Sequence, residues 1–315
     1  MKHMKKYISI LFLVAISWAV QAQQRPLQSL YMFDPLLVNP AYAGTQVQLS
    51  ATAIYRNQWV NLDGAPKTFT STVHSGFRKY RVGLGLIVSN DQIGIHNDVG
   101  IYGVYSYKLP VTKKGQLSFG LQGGFNNLRS NFALLDPKSP LVDQYFNSTV
   151  TNKFSPNFGA GLFYRSNTFY AGISVPYILN NRVIGLISND PKQSLFGSQH
   201  RYYYLMGGFT KKLSNIVKFV PSTLIKVQDN APLTFDLNAF LVFYNAVGLG
   251  CSYRFNDSVI PMFELQLNDN FHVGYAYDMT TSALNRYSNG SHEIMINYRV
   301  KIPKLHKGLE CPSYW

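Results

Sequence analysis

The chain has 315 residues, with 29 Lys+Arg against 15 Asp+Glu, a formal net charge of +14, 15% aromatic residues and only 14% charged ones. That charged share is well below the quarter or so typical of a soluble domain, and two cysteines make no disulfide framework. The cations are not gathered into a nucleic-acid patch: many lie in turns or between apolar positions (Arg78, Lys79, Arg81; Lys113, Lys114; Lys211, Lys212), which suits a basic lumen or a rim facing anionic headgroups and makes no case for nucleic acid as a partner.

Lys2, Lys5 and Lys6 precede an apolar run from Tyr7 to Val20 that closes on Val20-Gln21-Ala22. A basic start, a short apolar run and a small residue predict a secretory leader, 1–22, cut after Ala22. No later run is long and apolar enough for a spanning helix, so a membrane form of the mature protein has to be a closed barrel. The segment 23–47 is aromatic-rich but broken by Pro35 and by Asn39-Pro40. Proline steers its predecessor to extended geometry, so an irregular, plug-like segment is expected at the lumen or the periplasmic mouth.

From residue 48 the dominant signal is alternation. Val247, Leu249, Cys251, Tyr253 and Phe255 interleave with Gly248, Gly250, Ser252 and Arg254; Ile294, Ile296, Tyr298 and Val300 interleave with Glu293, Met295, Asn297 and Arg299. Period two with a small or polar second face predicts strands, and lipid inverts the usual arrangement by taking the apolar face outward. The 22 tyrosines suit interfacial girdles. Strands are expected near 48–57, 67–77, 81–90, 99–109, 116–128, 154–165, 168–178, 200–213, 216–228, 233–244, 246–255, 259–267, 271–279 and 291–302. The expected fold is therefore all-β: a transmembrane, antiparallel, up-and-down β-barrel of about fourteen strands over 48–302. Connections alternate between short turns on one side and long loops at 129–153, 179–199 and 280–290, placing the short ones in the periplasm. Pro221 and Pro261 fall inside predicted strands, where a missing donor marks a bulge or an end. A tail, 303–315, returns to the periplasm.

Two blocks stand out: Asn39-Pro40-Ala41-Tyr42-Ala43-Gly44, and Tyr55-Arg56-Asn57-Gln58-Trp59 followed by Asp63-Gly64-Ala65-Pro66. Asn39, Pro40, Tyr42 and Gly44 are types that shape and pack an irregular segment. Asp63, Gly64 and Pro66 read as the turn between the first two strands. Arg56, Gln58 and Trp59 cluster at the end of the first strand, and a buried Arg56 needs an acidic or carbonyl partner, for which Asp63 or the N-terminal segment is expected. With Asn90-Asp91-Gln92-Ile93-Gly94, Gly290-Ser291-His292-Glu293-Ile294 and the terminal Cys311-Pro312-Ser313-Tyr314-Trp315, these blocks resemble the PorP/SprF family of Bacteroidetes outer-membrane proteins of type IX secretion and gliding motility. Asp34 stands where the family's pattern carries Asn. The resemblance implies an outer-membrane barrel that anchors a cell-surface protein bearing a type IX C-terminal domain, or assists its export, with periplasmic ring components as further partners.

The seven histidines are dispersed, and no HExxH, nucleophile elbow, P-loop or dinucleotide fingerprint occurs. Asp236, Glu264, Asp278 and Glu293 lie on different strands with no nucleophile nearby and read as counter-ions. Neither an enzyme nor a cofactor or metal site is expected. The competing functional reading is a passive or solute-selective pore with a basic, glycine-rich inner face.

Overall fold

A computed structural model describes residues 27–46, 48–77, 81–131, 151–180, 201–228 and 231–300. They form one sheet of fifteen strand segments: β1 Leu49–Asn57, β2 Lys67–Phe77, β3 Val82–Ile93, β4 His96–Thr112, β5 Gly115–Ser130, β6 Thr151–Ser166, β7 Phe169–Val175 and β8 Tyr202–Phe209. The sheet continues with β9 Lys211–Lys212, β10 Val217–Gln228, β11 Thr234–Phe243, β12 Val247–Arg254, β13 Ser258–Gln266, β14 Phe271–Thr280 and β15 Ser291–Val300. Every pairing is antiparallel, between chain neighbours except that β8 and β9 both pair with β10, and β15 pairs back onto β1 from Leu49↔Val300 to Asn57↔His292, closing the barrel. β9 extends β8 past a break at Thr210, so the wall has fourteen staves, as the alternation predicted.

The break has a local cause. Gly208 pairs Ser222 and Lys211 pairs Phe219, which leaves Pro221, without an N–H, opposite the interruption. Pro261 leaves a similar gap, where the β13–β14 ladder passes from Val259↔Met279 to Met262↔Ala276. Several boundaries depart from the sequence reading, three of them around β7, β3 and β4. β7 ends at Val175 because Pro176 follows, rather than running to Ile178. β3 and β4 run on into the expected connection 91–98 and meet at a turn on Gly94-Ile95. The leader, the tail from 301, Arg78, Lys79, Cys311 and most of the two longest expected loops lie outside the described residues.

Period two sorts the side chains as lipid demands. Along β15, Ser291, Glu293, Met295, Asn297 and Arg299 are buried inward, while Ile294 and Ile296 point outward half exposed. Leu84, Leu86, Leu121, Phe158, Ile173, Leu205, Leu237 and Leu249 share that outer face. An apolar belt of this extent would not be left facing water. Outward aromatic pairs mark both ends of the belt. Phe125–Phe154 and Phe235–Phe255 lie near one rim, and Tyr164–Phe169 and Phe271–Tyr298 near the other. Rings of this kind suit the two interfaces of a membrane. Cys251 is a free thiol on the outer face.

Arg81, Lys113, Lys114, Lys211 and Lys212 are exposed at the rim of short turns. The basic excess among the described residues is therefore a rim feature. The lumen is mixed rather than basic: buried Arg56, Lys108, Arg165, Lys226, Arg254 and Arg299 share it with Asp34, Asp236, Glu264, Asp278 and Glu293.

The segment 27–46 fills that lumen. It folds as three 3-10 turns, Ser29–Met32, Pro35–Leu37 and Pro40–Tyr42. Asn39 is extended ahead of Pro40, Asp34 ahead of Pro35 lies outside the helical region, and the side chains of both accept from the N–H two residues on, Leu36 and Ala41. Leu30, Tyr31, Met32, Phe33, Leu36, Val38, Ala41, Tyr42 and Ala43 are all buried. A large apolar side chain buried this fully contributes on the order of 1.5–3 kcal/mol.

Candidate functional site

The contacts of the lumen segment reach most of the way around the wall. At the long-loop half, the Ser29 and Leu30 N–H groups donate to the two Glu293 carboxylate oxygens at 2.7 and 2.8 Å, and Ser29 Oγ donates to Asp278 at 2.9 Å. Gln28 donates to Thr70 Oγ1 and Thr72 donates to Asp34. Tyr31 Oη accepts from Asn238 Nδ2 at 2.8 Å, and the Phe33 ring stands edge-on to Phe240 at 5.2 Å. At the short-turn half, Ser106 Oγ donates to the Ala43 carbonyl at 2.6 Å, Lys108 Nζ donates to the Gly44 carbonyl, and the Gly44 N–H meets His74 Nδ1 at 3.2 Å. Ser174 Oγ reaches the Val38 carbonyl at 2.6 Å. The segment thus descends the lumen from the long-loop half to the short-turn rim and there turns into β1.

Strand glycines make room for this backbone. A Cβ on Gly120 would lie 2.1 Å from the Ala41 nitrogen, and one on Gly83 would lie 2.1 Å from the Ala43 carbonyl oxygen. Gly44 itself is left-handed at φ 62, with Gly83 and Gly76 packed where its own Cβ would be.

Asn39 accepts from Ala41 N at 2.9 Å and donates to the Leu162 carbonyl at 3.0 Å, against Gly161 and Gly172. Pro40 opens the third turn. Tyr42 stands edge-on to both His74 and Phe163 at 5.5 Å, and its hydroxyl accepts from Gln46 at 3.3 Å. These three and Gly44 meet the wall together.

Arg56 faces the lumen and is buried. Its guanidinium donates to Asp278 at 2.6 Å, to Glu293 at 2.7 Å and to Ser29 Oγ at 3.1 Å. The sequence offered Asp63 or the N-terminal segment as its partner. The carboxylates come instead from β14 and β15, and the segment adds only a hydroxyl, because inward parity on β1 aims Arg56 away from the connection that carries Asp63. Arg254 extends the cluster, gripping Asp236 through two bonds at 3.0 Å and lying 3.6 Å from Asp278. Two guanidiniums face three buried carboxylates, with the half-exposed Asp257 3.8 Å from Arg254 at the margin, and the Ser29 and Leu30 amides meet the excess negative charge.

Gln58, Trp59, Asp63, Gly64 and Pro66 do not join Arg56. They lie in the connection from β1 to β2 at the long-loop rim. Gln58 N donates to the Pro66 carbonyl at 2.9 Å, Trp59 N donates to Ser291 Oγ at 3.1 Å, and the Gly64 carbonyl accepts from Gly94 N at 3.0 Å. Asp63 and Gly64 line a rim cavity with Trp59. Sequence reasoning missed His74, Ser106 and Lys108 as anchors of the segment. Their parity on β2 and β4 was the available signal. No group of three or more His, Cys, Asp or Glu among the described residues could hold a metal ion.

A closed wall with a lipid-facing exterior, wrapped around a lumen packed with the chain's own N-terminal segment, defines an outer-membrane β-barrel protein with an occupied interior. The family model described as type IX secretion system membrane protein PorP/SprF matches residues 20–298. The chain belongs to that family, which is not a family of enzymes. Among solved structures the barrel is similar to the CymD monoaromatic hydrocarbon channel, with a TM-score of 0.53 at 12% identity over 91% of this chain and 96% of that one. It is also similar to the toluene transporter TbuX of Ralstonia pickettii, with a TM-score of 0.50 at 10% identity over 84% and 92%. Likeness at these identities concerns the fold alone. No curated protein matches the chain.

Proposed function

We propose that this barrel serves type IX secretion as the outer-membrane element that anchors a cell-surface protein carrying a type IX C-terminal domain, or assists its export. In this reading 1–22 is removed after Ala22, 23–47 occupies the lumen, 48–302 forms the wall, and the tail 303–315 meets periplasmic ring components. Long loops then face the exterior and short turns the periplasm, the usual arrangement for bacterial barrels.

The observation that supports it most is the occupied lumen. Asn39, Pro40, Tyr42 and Gly44 seal the segment against the wall, and Arg56 holds the carboxylates that receive it. A barrel filled by its own chain works through its rims, where a partner can dock. Deleting the gene and biotinylating intact cells tests this. A type IX-sorted protein should vanish from the labelled fraction, and an unchanged surface set would overturn the proposal. The competing reading, a passive or solute-selective pore, requires 27–46 to leave the lumen.

A further inference from the structure

Three of the sequence blocks converge on one patch of the long-loop rim. The Val60 N–H donates to the Gly290 carbonyl and its carbonyl accepts from Asn289 N, each at 2.9 Å, while Gly94 N is bonded to Gly64. These ties join the β1–β2 connection, the β3–β4 turn and the entry to β15. Trp59 (φ 49), Asn61 (φ 72), Gly64 (φ 73), Gly94 (φ 55) and Gly290 (φ 78) are all left-handed here. Asn and Gly adopt that backbone readily, but for a bulky residue such as Trp59 it costs about 1–2 kcal/mol, so Trp59 is held in a conformation it would not choose alone.

Within it lies a cavity of about 390 Å³, whose polar lining comes from Asn57, Asn61, Asp63, Lys67 and Gln92, with Trp59 beside them. Its chemistry narrows the ligand. Among the described residues that line it, Lys67 is the one cation and Asp63 the one carboxylate, too few to hold a phosphate or a metal ion. A peptide added as a strand needs a free edge, but the wall is closed and Val60 already spends both its N–H and its carbonyl on Asn289-Gly290. What remains is dominated by primary amides, which donate and accept at once and so match hydroxyl groups. Trp59 stands beside them, and an indole is a side chain on which the C–H side of a sugar ring can pack. The volume lies in the range of small-molecule sites.

We infer that this cavity is a binding site for a neutral, hydroxyl-rich ligand, namely a saccharide. The inference does not use the anchoring role, and surface display in a deletion strain has no bearing on it. The test takes the intact protein in detergent over an array of defined bacterial oligosaccharides, followed by calorimetry with the best of them. Saturable binding that weakens at least tenfold in both Trp59→Asn and Gln92→Ala is the expected result. Asn tolerates the left-handed backbone at position 59, and an unchanged heat-modified gel shift verifies the fold. Should Trp59→Asn fail that check, Gln92→Ala alone is decisive. No bound saccharide, or binding unmoved by these substitutions, overturns the inference. Measuring the same glycan free and lipid-linked in nanodiscs separates the sources: tighter binding of the linked form assigns a membrane glycolipid, and equal binding a soluble or protein-borne glycan.

Discussion

Substituting Arg56 tests the charge balance at the long-loop half of the lumen. The wild-type cluster sets Arg56 and Arg254 against Asp236, Asp278 and Glu293, with the Ser29 and Leu30 amides capping Glu293. Arg56→Met leaves one guanidinium for three carboxylates and removes bonds of 2.6 and 2.7 Å. Removing one partner of a buried ion pair costs about 3–5 kcal/mol, because the remaining charge is stranded. Glu293→Gln works in the other direction. It brings the formal charges to two against two and retains an oxygen for the Ser29 amide, but its NH2 then faces the Leu30 N–H, so its expected cost is about 1–3 kcal/mol, that of a buried donor left unsatisfied. In the double variant the stranded charge is one fewer, and the two costs should fall short of additivity by about 1–2 kcal/mol. Urea unfolding from lipid vesicles, followed by tryptophan fluorescence, measures all three. The reasoning fails if Arg56→Met costs no more than Glu293→Gln, or if the two costs simply add.

Two further substitutions bear on the seating of the segment. Gly120→Val puts a side chain where the Ala41 backbone lies, with the Cβ alone 2.1 Å from its nitrogen. The segment should be displaced without loss of the wall, so limited proteolysis should cut within 27–46 while the heat-modified gel shift persists; protection equal to wild type would contradict this. Asn39→Ala removes both the turn cap on Ala41 and the bond to the Leu162 carbonyl. A loss of about 1–2 kcal/mol is expected in the same urea assay, and no measurable loss would show that the aromatic contacts of Tyr42 suffice.

Much of the wall was legible in the sequence because each strand declares its own two faces. Glu293 and Met295 alternate with Ile294 and Ile296, and that local fact survives whatever the neighbours do. Parity likewise put Arg56, Asp236, Asp278 and Glu293 on one face. It could not show that Arg56 meets Asp278 across 222 residues, because that depends on strand stagger and closure around the whole barrel. Asp63 was offered as a partner on sequence proximity, and closure chose otherwise. The lumen segment was foreseen from Pro35 and Pro40, but its depth was not, since the clearance comes from Gly83 and Gly120 on strands far along the chain. The rim patch was the least legible part. Val60 and Gly64 bind Gly290 and Gly94 through backbone hydrogen bonds between connections, which leave no periodic trace and carry Trp59 with them.

The central claim is that the chain's own N-terminal segment closes this barrel, and planar-bilayer conductance tests it most directly. The intact protein should be silent, and the variant lacking 27–46 should give stable open-channel currents. Steady conductance from the intact protein, equal to that of the deletion, would contradict the account.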